Sequence, residues 1–135
     1  MIYVLEDNDD RIRQFRAAAA EVAPEMRVIV WRSAHTMIAD LIDGLGHAKV
    51  ISLDHDLNPQ PGDTEDPGTG YDLAKMLAEL IPCCLIIIHT SNMERGQWME
   101  GALHSAGWRH ERVYPTSDQW IDRQWKPLVR RLLKQ

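Results

Sequence analysis

The sequence predicts a doubly wound α/β domain, a parallel sheet of five strands with helices on both faces. Three observations carry this expectation. Short apolar runs alternate from end to end with longer stretches of helical periodicity. The fourth run, Leu85-Ile86-Ile87-Ile88, is apolar throughout, as a strand covered on both faces must be. Acids, histidines and hydroxyl residues gather directly after the runs, where open parallel sheets hold their ligands.

Ile2–Leu5 is the first strand, and the acids and Asn8 after it suit a helix N-terminus. Ile12, Phe15, Ala19 and Val22 recur at helical spacing until Pro24 stops the helix. Met26–Trp31 is β-rich, and Ser33 caps a second helix that runs to Leu45, closed by Gly44 and Gly46. Val50–Leu53 is the third strand. A Pro-, Gly- and acid-rich segment then runs from Asn58 to Gly68, long enough to be a lid over a site. Thr69 or Gly70 opens a third helix with Leu73, Leu77 and Leu80 inward, ended by Pro82. After the fourth strand, Ser91 with Glu94 reads as a capping box for a helix with Met99, Ala102, Leu103 and Ala106 inward, closed by Gly107. Arg112-Val113-Tyr114 is a weak fifth strand. Thr116, Ser117 or Asp118 caps the last helix, with Ile121, Trp125, Leu128 and Leu132 inward, and Pro127 kinks it or marks its true start. Parallel strands need right-handed crossovers, so each helix lies against the sheet. Strands one, three and four must be neighbours for their ends to meet, which gives the order 2-1-3-4-5, with two helices on one face and three on the other.

The 135 residues suit one domain, 1–135, and a hydrophobic fraction of 44% is enough for a packed core. Twenty acids against 15 Lys+Arg, a net charge of -5, exclude a general nucleic-acid groove, which needs many phosphate-neutralising cations. A small phosphorylated ligand or a nucleic-acid terminus is compatible with that charge. Cys83 and Cys84 are adjacent, so they imply no disulfide framework, and at least one reads as a small core residue. Met1 leads straight into Ile2-Tyr3-Val4-Leu5 and acids, without the basic start of a signal peptide. Cys83–Ile88 is too short to span a membrane. A cytoplasmic location is expected.

Three strand ends supply chemistry: Glu6 and Asp7; Asp54, His55 and Asp56; and His89, Thr90, Ser91 and Asn92. Glu6, Asp7 and Asp54 in one crevice would repel one another unless a cation sat among them, and hard oxygen donors suit Mg²⁺ or another divalent ion. Asp9 and Asp10 read instead as acids favouring a helix N-terminus. His55 and His89 each come directly after a strand, beside an acid or a hydroxyl, and histidine is the usual acid/base near neutral pH. His35, His47, His104 and His110 read as surface or packing residues, and the five tryptophans mostly as core or packing elements, with Trp98 and Trp120 placed to rim a pocket.

These residues resemble the receiver domains of two-component response regulators, over nearly the whole chain. The likeness rests on Glu6-Asp7, Asp54, Thr90 and Pro115. It implies a flavodoxin-like (βα)5 fold, Mg²⁺ held by the acidic pair, Asp54 and the backbone carbonyl of Asp56, and a phosphoryl group carried on Asp54 and touched by Thr90. Receivers carry Lys before the proline, where this chain has Tyr114, so the cation that would pair with phosphoryl oxygens is missing. Leu53-Asp54-His55-Asp56-Leu57, His89-Thr90-Ser91-Asn92 and the long loop resemble more closely the cyclic-phosphate-processing receiver branch. That branch implies hydrolysis of cyclic phosphates at nucleotide or RNA termini. The expectation is therefore a metal-assisted phosphoesterase, with His55 and His89 as acid/base pair, Asp54 at the centre, and Thr90, Ser91 and Asn92 orienting the phosphate. The alternative is a stand-alone receiver that accepts a phosphoryl group on Asp54 or binds a protein partner.

Overall fold

A computed structural model describes residues 1–134. In chain order the elements are β1 (Ile2–Leu5), α1 (Asp9–Val22), β2 (Val28–Trp31), α2 (Ala34–Gly44), β3 (Val50–Leu53), α3 (Gly70–Ala78), β4 (Leu85–Ile88), α4 (Met93–Ser105), β5 (His110–Arg112) and α5 (Lys126–Leu133). The five strands form one parallel sheet in the order β2-β1-β3-β4-β5, as expected. Side chains alternate across a strand, so each strand feeds both faces. Tyr3, Leu5, Ile51, Leu53, Ile86 and Ile88 meet α2, α3 and α4. Ile2, Val4, Val50, Leu85 and Ile87 meet Phe15 of α1 and Trp125 and Val129 at and within α5. Three helices thus cover one face and two the other. No helix among the described residues is long and apolar enough to cross a membrane.

Several boundaries differ from the sequence expectation, each for a local reason. The fifth strand is His110–Arg112 rather than Arg112–Tyr114. The backbone of Tyr114 leaves the sheet because the Gln124 side chain takes both its groups: Tyr114 N–H donates to Oε1 (3.0 Å) and Nε2 donates to the Tyr114 carbonyl (2.9 Å). Helix α4 is capped by Asn92, whose Oδ1 accepts from Arg95 N–H at 3.0 Å, and not by Ser91, which is exposed. Helix α3 stops at Ala78, so Leu80 falls on a turn and is partly exposed. Before α5 the chain makes one π-helical turn, Ile121–Trp125, in which Lys126 N–H bonds back to the Ile121 carbonyl. Pro127 has no N–H to give and sits in the first turn of α5, where none is needed. Cys83 is exposed and Cys84 half-buried, both as free thiols, and burial pushes the Cys84 thiol up to about 12.

The segment between β3 and α3 is pinned at several points. Asn58 N–H donates to Asp7 Oδ2 (2.6 Å), Arg32 Nη1 to Gln60 Oε1 (3.2 Å), and Ala34 N–H to the Pro67 carbonyl (2.7 Å). It is thereby tied to the starts of α1 and α2.

Candidate active site at the carboxyl edge of the sheet

Strand register builds the site. Leu5 pairs with Leu53, and Leu53 with Ile88, so the next residues, Glu6, Asp54 and His89, emerge side by side. Backbone bonds carry the alignment one step past the strands: Asp54 N–H donates to the Leu5 carbonyl (3.1 Å) and His89 N–H to the Leu53 carbonyl (2.9 Å). Alternation sends all three side chains toward α1 and the π-helical turn. Donor atoms of Glu6, Asp54 and His89 all lie within 4.8 Å of one another, a set able to hold a metal ion.

The three groups are buried, Asp54 at 6% exposure and the other two at 0%. His89 Nε2 stands 3.2 Å from Glu6 Oε1, off the hydrogen-bond direction, so neither atom has a formed hydrogen bond among the described residues. The other oxygen, Glu6 Oε2, accepts from the backbone N–H groups of Asp7 and Asn8 at 3.1 and 3.2 Å. Burial alone would raise the Glu6 carboxyl, but His89 and Arg11 outweigh it and hold it below the usual carboxylate range. Burial pushes the Asp54 carboxyl up to about 7; His89 pulls it down and Glu6 pushes it further up.

The imidazole of His89 is held from below and from the side. Its Nδ1 lies 2.7 Å from Ser52 Oγ, and that oxygen accepts from the Trp125 indole N–H at 3.1 Å. Trp120 stacks on the ring at 5.5 Å and 26°, and Phe15 tilts against it at 5.0 Å. Arg11, in the first turn of α1, places Nη1 3.7 Å from Glu6 Oε1 and 4.0 Å from Asp54 Oδ2, with its guanidinium over the Trp120 ring. Its side chain makes no hydrogen bond among the described residues, and it lines a cleft of about 560 Å³ with Asn8, Gln14, Thr116, Ser117 and Trp120.

The remaining predicted site residues are placed separately. His55 is buried, with Nδ1 2.8 Å from Asp56 Oδ1; Asn92 Nδ2 donates to the same carboxylate, 3.3 Å from Oδ2. Asp7 spends one carboxylate oxygen on Asn58. Thr90 is buried, its Oγ1 accepting from Asn92 N–H at 3.1 Å, and Ser91 faces solvent. Sequence reasoning missed Ser52 and Arg11. Ser52 was legible as the lone polar residue of an otherwise apolar strand. Arg11 stands about one helical turn after Asp7, the spacing that brings a side chain back over the strand end.

A five-stranded parallel sheet in this order, with an acidic pocket after β1 and β3, defines a receiver domain of the response-regulator type. Solved structures agree on the fold. The response regulator receiver domain from Rhodospirillum rubrum matches at TM-score 0.69 and 16% identity, covering 99% of this chain and 94% of that one. The BeF3-activated DrrB receiver domain matches at TM-score 0.66 and 19% identity, over 99% and 97%. The receiver of Thermotoga maritima CheB matches at 0.64 and 15%, over 98% and 92%. Residues 2–105 match the model of the cyclic-phosphate processing receiver domain, and the chain belongs to that family. No curated protein matches the sequence.

Proposed function

We propose that this receiver domain is a metal-assisted phosphoesterase that opens cyclic phosphates of nucleotides or nucleic-acid termini. One observation carries the reading. Two buried polar atoms without a hydrogen bond among the described residues, Glu6 Oε1 and His89 Nε2, face each other beside Asp54, in a pocket where polar groups are ordinarily satisfied. Such a pocket is built for a third party.

The donor set fits a divalent cation. Glu6 and Asp54 are adjacent carboxylates, one with an oxygen that accepts no hydrogen bond among the described residues, and they would hold the ion, with Asp7 and the carbonyl of Asp56 completing the set that the family resemblance implies. Bound there, a divalent cation supplies charge compensation at a phosphoryl oxygen. The rest falls to the chain. Arg11 reaches over both carboxylates and lines the open cleft, so it would supply the positive charge that Tyr114 does not. Asp56 Oδ1 stands 2.8 Å from His55 Nδ1 and accepts its N–H, which leaves Nε2 as the nitrogen that would face a substrate. His89 is the second member of the proposed acid/base pair. Thr90, Ser91 and Asn92 orient the phosphate at the start of α4.

The test is a panel of 2′,3′- and 3′,5′-cyclic nucleotides with Mg²⁺ or Mn²⁺, run beside acetyl phosphate. Turnover of a cyclic substrate supports the enzyme. Stable labelling of Asp54 by acetyl phosphate, without cyclic turnover, favours the signalling receiver that binds a protein partner.

A further inference from the structure

We infer that Ser52 and Trp125 fix His89 as the Nε2–H tautomer, so that His89 offers the pocket a hydrogen-bond donor and is not a ligand of the cation. The inference rests on the reading above and deepens it by dividing the pocket between two kinds of ligand atom.

The argument is donor and acceptor accounting. An indole N–H can only donate, so the Trp125 contact at 3.1 Å uses a lone pair of Ser52 Oγ. The hydroxyl still has one proton to place. Among the described residues its one other partner is His89 Nδ1, at 2.7 Å. Ser52 is buried in the middle of β3, with no access to water. A proton left without an acceptor there is expensive, so the hydroxyl donates to Nδ1. Nδ1 is then the acceptor, and the proton of the neutral ring lies on Nε2. The reverse tautomer would give Ser52 two donors to accept and nothing to receive its own proton.

The ring cannot escape by turning. Trp120 and Phe15 pack on it, and a flip would bring carbon to Ser52 and leave the hydroxyl unpaired. The consequence lies at the far edge of the imidazole. A metal ion needs a lone pair, and a histidine ligand ordinarily gives its other N–H to a nearby protein or water acceptor. Here the relay runs the opposite way, from Trp125 through Ser52 into Nδ1. Nε2–H therefore suits an oxygen acceptor, from a phosphoryl group, a leaving oxygen or water. The cation is left to Glu6 and Asp54. Ser52 and Trp125 are positioning residues acting through His89.

The experiment is long-range ¹H–¹⁵N correlation NMR of the ¹⁵N-histidine-labelled full chain with and without Mg²⁺, at a pH where the ring is neutral. Substitutions of the exposed or half-buried His35, His47, His104 and His110 narrow the assignment. The expected pattern for His89 is a pyridine-type Nδ1 and a pyrrole-type Nε2, unchanged by Mg²⁺. Ser52→Ala removes the donor to Nδ1 and should shift the ring toward the Nδ1–H form, while Ser52→Thr, keeping the hydroxyl, should restore the original pattern. A pyridine-type Nε2 in the unmodified protein overturns the inference, as does a ring protonated on both nitrogens throughout. A Ser52→Ala spectrum still showing pure Nε2–H overturns the role of Ser52. Should Ser52→Ala fail to fold, the unmodified spectrum still decides the tautomer. These readouts need no substrate, so an absence of turnover would sink the phosphoesterase reading and leave the tautomer standing.

Discussion

His89 Nε2 and Glu6 Oε1 lie 3.2 Å apart, both fully buried, next to an Asp54 carboxyl that burial has pushed up to about 7. The two acids respond to pH in opposite senses. Glu6, depressed by His89 and Arg11 against the effect of burial, contributes stability that is present above its unfolded value of ~4.3 and lost as pH falls through its lower folded value. Asp54, raised from ~3.9, contributes stability that is present below that value and lost as pH rises through about 7. Without divalent cations, thermal unfolding should therefore show a Tm that declines from mildly acidic pH to pH 8. Asp54→Asn should remove the decline, raising stability at pH 8 by up to about 4 kcal/mol. A Tm that is flat between pH 5 and 8 in the unmodified chain would contradict this.

Divalent binding should relieve the same repulsion. Calorimetry with Mg²⁺ or Mn²⁺ is expected to show one site, weakened by Asp54→Asn and by Glu6→Gln by more than about tenfold each, at least the loss typical when a group that merely supports a metal ligand is removed. No heat at millimolar metal would take the cation out of the mechanism.

Both histidines are buried, so each substitution should show two defects. His55→Ala is expected to cut cyclic-phosphate turnover by about 10²–10⁴-fold, the usual contribution of an acid/base group, and to lower stability by about 1–3 kcal/mol through the buried ring it removes. His89→Ala should lose activity to the same order and also destabilise the domain by about 2–4 kcal/mol, because it opens a cavity beneath Trp120 and orphans Ser52. Denaturant titration beside kinetics distinguishes the two.

Arg11 should act on phosphate as well as on folding. Its guanidinium is 31% exposed but faces two buried carboxylates, so Arg11→Gln is expected to lower stability by about 1–3 kcal/mol. It should raise KM for a cyclic nucleotide more than it lowers kcat, and Arg11→Lys should restore only part of the loss. Unchanged binding in Arg11→Gln would remove this residue from the site.

Gly70 tests how tightly the fold supports the site. A Cβ there would sit 1.9 Å from the Asp54 carbonyl oxygen and 2.9 Å from His55 Cα, where the first turn of α3 crosses the end of β3. Backbone cannot yield as a flexible side chain does. Gly70→Ala should lower stability by at least about 2 kcal/mol and weaken metal binding together with it. Equal Tm values for variant and parent would show that this contact relaxes freely.

Much of the fold and the core of the site were legible in the sequence, because they depend on periodicity and on the residues at strand ends. Alternating apolar runs and helical stripes specify parallel strands with crossovers, and Glu6, Asp54 and His89 each stand immediately after one of three such runs. The chain could announce those residues, since a strand end is a local feature. Tertiary structure decided which neighbours they found. In-register pairing of Leu5, Leu53 and Ile88 set the three groups on one face, while the next residue in each run, Asp7, His55 and Thr90, found other partners. The tryptophans, alike in composition, divided in the same way: Trp125 became the donor to Ser52, and Trp120 the ring that holds His89. Hydrogen-bond partners 37 and 73 residues apart leave no mark on local periodicity, because their meeting depends on how the sheet, α1 and the turn before α5 pack.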